Sequence, residues 1–149
     1  MVAARVRLLI AALWAGSLWA IGYIAAPTLF ATLPEPAMAG MVAARLFRIE
    51  AWLSVACALA LLALLYRGVE GVDERGRRRL LWLVALMLLC TLVGYFALQP
   101  FMNALREAAG PGGVMEGAMR TRFGMLHGVA SLFYLLQSLL AVALIWKLR

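Results

Sequence analysis

Charge is scarce in this sequence, and what there is carries mostly one sign. Only 14% of the 149 residues are Asp, Glu, Lys or Arg, against about a quarter in an ordinary soluble domain. Seven acidic residues face fourteen basic ones, a net charge of +7. Histidine is nearly missing: His127 is the only one. A single imidazole with no matched nucleophile builds no catalytic triad, and haem held by two histidines is excluded within one chain. There is no G-x-S-x-G, no H-E-x-x-H and no phosphate-cradling glycine loop. The two cysteines, Cys57 and Cys90, sit inside apolar runs with no CxxC spacing, so they read as reduced core thiols. No catalytic set emerges, and the chain reads as non-enzymatic.

What the sequence has in abundance is apolar surface. Hydrophobic residues make up 66% of it, and its mean hydropathy is +0.93. One domain of this size cannot hide that much greasy surface from water, so hydrocarbon must be much of its solvent. Four runs reach the roughly 20 residues that a spanning helix needs: 8–30, 47–66, 80–98 and 123–146. Helices are expected because each satisfies its own backbone in lipid, and no run alternates with the period of two of a barrel strand. The fold class is therefore all-α: a four-transmembrane-helix bundle, up-down-up-down, in one integral membrane domain over 1–149. The first run is too long for a signal peptide's apolar region of about 7–15 residues and reads as a retained span, with Pro27 kinking or ending it.

Nine Lys and Arg residues fall on the side of the termini and the Arg67–Arg79 loop, and five on the other side. The positive-inside rule then puts both termini in the cytoplasm, of a bacterial inner (plasma) membrane. Clusters of this kind meet anionic lipid headgroups, above all at the Arg67–Arg79 loop, and not nucleic acid. The two outer connections carry short amphipathic helices, with Pro36 suited to a first helical turn and Gly110-Pro111-Gly112-Gly113 as a breaker. No internal repeat is evident. Ala12, Gly16 and Ala20 in span one, and Gly124 and Gly128 in span four, have the four-residue spacing of close helix approach, which also allows a homo-oligomer.

Hydrophilic side chains within a membrane are costly, so their placement carries the functional signal. His127, Ser131, Tyr134 and Ser138 share one face of span four. Glu50, Ser54 and Cys57 share one in span two, and Thr91, Tyr95 and Gln99 share one in span three. Glu50 and His127 fall at similar depths toward the outer side, near Arg48 and Arg122. Together His127, Glu50, Ser131, Tyr134, Tyr95, Gln99, Arg48 and Arg122 outline a polar pocket that opens outward above packed apolar side chains. His127 either holds a metal, haem or proton, or locks the bundle through Glu50 or a backbone carbonyl. Glu50 either neutralises Arg48 or Arg122 or binds a cation. Met38, Met41, Met102, Met115, Met119 and Met125 also fall on the outer side, and Met38, Met41, Met115, Met119 and Met125 with His127 form a soft donor set suited to Cu(I), although methionine fills apolar gaps equally well.

Certain residues resemble a known family. Trp19-Ala20-Ile21-Gly22-Tyr23 through Pro27-Thr28-Leu29-Phe30, then Leu33-Pro34 and Arg45-Leu46-Phe47, are similar to the opening half of the domain-of-unknown-function 4149 family. Arg122-Phe123-Gly124-Met125-Leu126-His127-Gly128 echoes its second half. The family includes vertebrate transmembrane protein 205, which is associated with resistance to platinum drugs. It is distantly similar to copper-resistance D-type membrane proteins. The resemblance implies a four-helix membrane protein without an established reaction and with a leaning toward soft metals. This chain lacks the several histidines of a dedicated copper transporter. Three functions remain open at this point: an outward pocket that binds or passes a small ligand or soft metal, a structural or assembly partner in the membrane, and a haem or quinone redox protein.

Overall fold

Backbone that cannot reach water must bond to itself, and all four apolar runs do so as helices. In the computed structural model, residues 2–66, 73–110 and 115–148 are described. They form α1 (Val2–Thr32), α2 (Pro36–Tyr66), α3 (Glu74–Ala108) and α4 (Gly117–Leu148), each apolar enough to cross a membrane. At 1.5 Å per residue, a helix of 31 residues is about 46 Å long, while the hydrocarbon core is about 30 Å thick. The helices therefore exceed the spans expected from hydropathy. The first outer connection leads straight into α2 from Pro36, and the last part of α3, Gln99–Ala108, is a short amphipathic helix of the kind the sequence suggests.

Local chemistry sets the ends. Asp73 caps α3 by accepting a hydrogen bond from the Gly76 backbone N–H at 2.9 Å. Pro36 opens α2 where no intrahelical donor is needed. Gly110, with φ at +73°, follows α3 in the left-handed conformation that ends a helix. The remainder of the glycine-proline breaker, residues 111–114, lies outside the described residues, as do Arg67 and Arg149 of the topological charge count.

The first helix runs on to Thr32 and does not end at Pro27. A π-helical turn, Ala20–Ala25, precedes it, and the α-helix resumes over Ala26–Thr32. Proline has no N–H, and its ring crowds the carbonyl four residues back. The wider i→i+5 turn absorbs both problems, as when the Ala26 N–H bonds the Ile21 carbonyl. α3 repeats the device at Leu92–Ala97 before Pro100, where the Leu98 N–H bonds the Val93 carbonyl at 3.2 Å. Both π turns carry a Gly-Tyr pair, Gly22-Tyr23 and Gly94-Tyr95. The chain thus contains a short internal echo that is not evident before the turns are seen.

Each helix packs on its neighbours in sequence, and α4 closes back on α1. Trp14, Leu18, Leu61, Leu65, Val84, Met87 and Leu144 fill the half of the bundle nearest the termini, all nearly inaccessible. Outside this core the helices stay apolar: Leu13, Trp52, Leu59, Leu89, Leu132 and Leu139 are exposed. Such a surface is stable only against lipid. Exposed Tyr66, Trp82 and Trp146 lie toward the end of the bundle that holds the termini, where amphipathic rings favour the headgroup level.

Helix approach uses other small residues than those spaced for it. Ala12, Gly16, Ala20, Gly124 and Gly128 are exposed, and a Cβ on Gly16, Gly124 or Gly128 would meet nothing within 4 Å. The close approaches are at the two π turns. A Cβ on Gly22 would collide with the Tyr134 ring, and one on Gly94 would come within 3.1 Å of the Phe133 Cβ. Two adjacent residues of α4 thus seat against the two Gly-Tyr turns.

Candidate functional site

The interior polar groups form a network that joins all four helices. The Trp14 indole N–H of α1 donates to Ser54 Oγ of α2 at 2.6 Å, and Ser54 donates to Glu50 Oε1 at 2.6 Å. From α4, Gln137 Nε2 donates to Thr91 Oγ1 of α3 at 2.9 Å and reaches Ser54 Oγ at 3.3 Å. Thr91 in turn donates to the Met87 carbonyl. Glu50 is 4% exposed and Ser54 fully buried. Where water is excluded, polar groups persist only when they are bonded to one another, and this set achieves that at mid-bundle.

A second set ties α1 to α4. Tyr23 OH donates to Ser138 Oγ at 3.0 Å, and Tyr134 OH donates to the Leu18 carbonyl at 2.7 Å. That carbonyl lies just before the π turn. The Tyr134 ring is held on two sides: Tyr23 meets it edge-on at 6.2 Å between centroids, and Phe47 does so at 5.4 Å.

Between this network and the end of the bundle away from the termini lies a cavity of about 500 Å³, within the ~300–1,000 Å³ range of small-molecule sites. Its inner end is polar, with Glu50, Thr91 and Gln137. Its walls are aromatic and small, with Tyr23, Phe30, Phe47, Tyr95 and Tyr134 beside Ala43, Gly94 and Ala130. Toward the outer end stand Gln99, Met102, Arg106 and His127. Arg106 lies over the Phe123 ring at 5.1 Å and donates to Asn103 Oδ1 at 2.9 Å. Phe123 is nearly parallel to the His127 ring, with 6.1 Å between centroids.

The cavity is not equally closed on all sides. The lining residues of α2 and α3 are buried or half-buried, whereas Tyr23, Pro27 and Phe30 of α1 and His127, Ser131 and Leu135 of α4 are exposed. The reason is the course of α1. Its first part, Val2–Trp19, packs on both α2 and α4, but beyond the π turn Ala26–Thr32 packs on α2. A gap toward the bilayer follows between the outer halves of α1 and α4.

Of the residues picked out from the sequence, His127, Glu50, Ser131, Tyr134, Tyr95 and Gln99 all line this cavity. Arg48 and Arg122 do not: both are exposed, and Arg122 borders a separate apolar groove with Leu98, Phe101 and Met125. Glu50 neutralises neither of them. Among the described residues the ion pair present is Arg77–Glu74, at 2.9 Å on the surface, and Glu50 accepts from Ser54 instead. His127 reaches neither Glu50 nor a backbone carbonyl, and its own carbonyl accepts from Ser131 at 2.8 Å. Met38, Met41, Met115, Met119 and Met125 are not among the lining residues, and Met125 is 67% exposed. The methionine that lines the cavity is Met102, 3% exposed. Among the described residues no group of three His, Cys, Asp or Glu side chains is placed to hold a metal ion. Cys57 and Cys90 are free buried thiols.

Gln137, Trp14 and Arg106 were missed from the sequence. Gln137 lies three residues after Tyr134, just off the polar stripe of span four, but an amide between Leu136 and Leu139 is costly enough to demand partners. Trp14 passes for one more apolar residue until its indole N–H is counted as a donor. Arg106 was counted only as a topological charge.

No curated protein and no solved structure matches the chain. One family does, over residues 9–111, which cover the first three helices and both π turns but not the Arg122–Gly128 segment. By that match, the chain belongs to the family described as a domain of unknown function (DUF4149).

Proposed function

We propose that this protein is a non-enzymatic membrane protein that takes a small lipophilic ligand into the cavity between its four helices. One observation carries this reading. The chain leaves about 500 Å³ open next to a core packed to near-zero exposure, and it ends that space on the hydrogen-bonded groups Glu50, Thr91 and Gln137. An apolar enclosure with a few convergent polar groups is the usual form of a small-molecule site. The gap between α1 and α4 favours a ligand that arrives dissolved in lipid. Orientation by the positive-inside rule, in an inner membrane with both termini cytoplasmic, would put the cavity in the outer leaflet.

An organic ligand suits the lining better than a soft metal, because the methionines other than Met102 stand apart from it. A redox group is tested by the visible spectrum of the purified protein, where a Soret band would argue for haem.

The ligand reading is tested by thermal unfolding of the full chain in detergent with three bulky aryl probes: triphenylmethanol, tetraphenylphosphonium and tetraphenylborate. A ligand that binds the folded state raises the midpoint with concentration. At least one probe should do so saturably, and Ala130→Phe, which fills the cavity wall, should remove the effect. A flat midpoint with all three refutes the reading.

A second reading rests on the exposed small-residue faces of Ala12, Gly16 and Ala20 and of Gly124 and Gly128. They suit close packing against another copy or another membrane protein. Cross-linking in native membranes should then capture one reproducible neighbour, and purely monomeric behaviour would count against it.

A further inference from the structure

The cavity has chemically different ends, and that difference selects among ligands. Its inner end holds a carboxyl group, Glu50, that is 4% exposed. One of its oxygens accepts from Ser54 at 2.6 Å, and Ser54 itself accepts from the Trp14 indole N–H at 2.6 Å. Ser54 thus donates to the carboxyl while accepting from Trp14, a relay that polarises the hydroxyl toward Glu50. The described ion pairs give Glu50 no cationic partner. An unpaired carboxylate away from water is costly, and a positive centre facing Glu50 is the partner that would stabilise its charged form.

The walls point the same way. Tyr134 is set edge-on to Tyr23 at 6.2 Å and to Phe47 at 5.4 Å, with interplanar angles of 67° and 89°, and Tyr95 lines the same space. Rings at steep angles around one volume offer faces as well as edges to whatever occupies it, and ring faces attract cations. The gap between α1 and α4 adds a condition on the remainder of the molecule, since a ligand passing exposed Phe30, Leu135 and Ser131 must be soluble in hydrocarbon.

An anionic amphiphile is the competing ligand, because Arg106 and His127 stand at the outer end. It fits less well. Arg106 is already spread over the Phe123 ring at 5.1 Å and bonded to Asn103 at 2.9 Å. A molecule with its charge at that end would also have to push its apolar tail onto Glu50, Thr91 and Gln137, where it would cover polar groups and satisfy none.

Resting on the ligand-binding reading above, we propose that the cavity's ligand is a lipophilic organic cation, a positively charged nitrogen or phosphorus centre clothed in aryl or alkyl groups, seated among Tyr23, Phe47 and Tyr134 and facing Glu50. Glu50 supplies charge complementarity, the rings supply cation–π contact, and Ser54 with Trp14 fixes the carboxyl's direction.

The test measures dissociation constants of tetraphenylphosphonium, triphenylmethanol and tetraphenylborate for the full chain in detergent by equilibrium dialysis. Tetraphenylphosphonium should bind at least tenfold tighter than the neutral probe, and tetraphenylborate the most weakly. Glu50→Gln keeps the side chain's size and an acceptor for Ser54. It should weaken the cation at least tenfold while leaving the neutral probe within twofold, which also reports that the variant is folded. Glu50→Asp, which retains the charge, should still rank the cation first. Tetraphenylborate ranking first, or tetraphenylphosphonium unmoved by Glu50→Gln, overturns the cation assignment but leaves the cavity a ligand site. Failure of all three probes to bind overturns both readings.

Discussion

Removing one hydroxyl group from the middle of the bundle should be disproportionately costly. Ser54 Oγ accepts from Trp14 Nε1 at 2.6 Å and from Gln137 Nε2 at 3.3 Å, and it donates to Glu50 Oε1 at 2.6 Å. In Ser54→Ala, Gln137 keeps its bond to Thr91 at 2.9 Å, so only Trp14 and Glu50 lose a short bond. Side-chain hydrogen bonds within membranes average about 0.6 kcal/mol and reach about 1.7, and stranding a buried polar group costs about 1–3. Two short bonds lost at buried groups therefore come to roughly 2 kcal/mol. The measurement is unfolding in mixed micelles as denaturing detergent is added, followed by tryptophan fluorescence. Ser131→Ala is the control: its hydroxyl only bonds back to the His127 carbonyl on the exposed side of the same helix, and its loss should stay within about 0.5 kcal/mol. A cycle with Trp14→Phe should show the two changes to be less than additive. If Ser54→Ala proved no worse than Ser131→Ala, the network would not be holding the helices together.

Two glycine substitutions should differ in sign. Gly22→Ala drives a methyl group into the Tyr134 ring, which cannot retreat because its hydroxyl is tied to the Leu18 carbonyl, so a loss of about 1–3 kcal/mol is expected. Gly16→Ala meets open space and gains up to about 1 kcal/mol of helix propensity, and thermal unfolding of the two variants would settle the comparison. The topology can be read with a thiol reagent that cannot cross membranes. Glu35→Cys should be labelled from outside intact cells and Glu74→Cys only after lysis, with buried Cys57 and Cys90 adding little background. The reverse pattern would invert the assigned orientation.

The four helices were legible because hydropathy over about 20 residues is a strong signal and lipid leaves the backbone no alternative. The face shared by His127, Ser131, Tyr134 and Ser138 was legible for a similar reason, since helical spacing fixes which residues lie together. What spacing could not supply was partnership. Glu50 and Arg48 look like a pair in sequence, but Glu50 points into the bundle and Arg48 away from it, and the carboxyl takes its hydrogen bond from Ser54 one turn on. The methionines share a side of the membrane without sharing a cavity, because side and depth say nothing of rotation about the helix axis. The small-residue spacing failed likewise: Gly16 and Gly124 have the right period but face outward, while Gly22 and Gly94, outside the stripes read from the sequence, make the close contacts. The π turns were hidden because each shifts the helical register by one residue, and proline gives a reader no means of telling a kink from a widened turn.

Those π turns connect the sequence to the cavity. Gly22-Tyr23 and Gly94-Tyr95 stand at equivalent places in two helices of the same direction, each shortly before a proline. The helices that follow also correspond: Arg45, Glu50 and Ser54 of α2 have the same spacing as Arg122, His127 and Ser131 of α4. In each case the serine donates back four residues, to the Glu50 carboxyl in α2 and to the His127 carbonyl in α4. The hairpins α1–α2 and α3–α4 thus carry short matching patterns, and residues of both line the cavity. The two halves are not equally closed. After its π turn α1 leans on α2 and leaves α4 bare, so that His127 remains exposed, while Glu50 stays buried at mid-bundle beside Ser54. From one repeated arrangement come a buried carboxyl at the floor and an open imidazole beside the gap. The opening beside α4 thus follows from how the outer part of α1 packs, and it is the side from which the proposed ligand would enter.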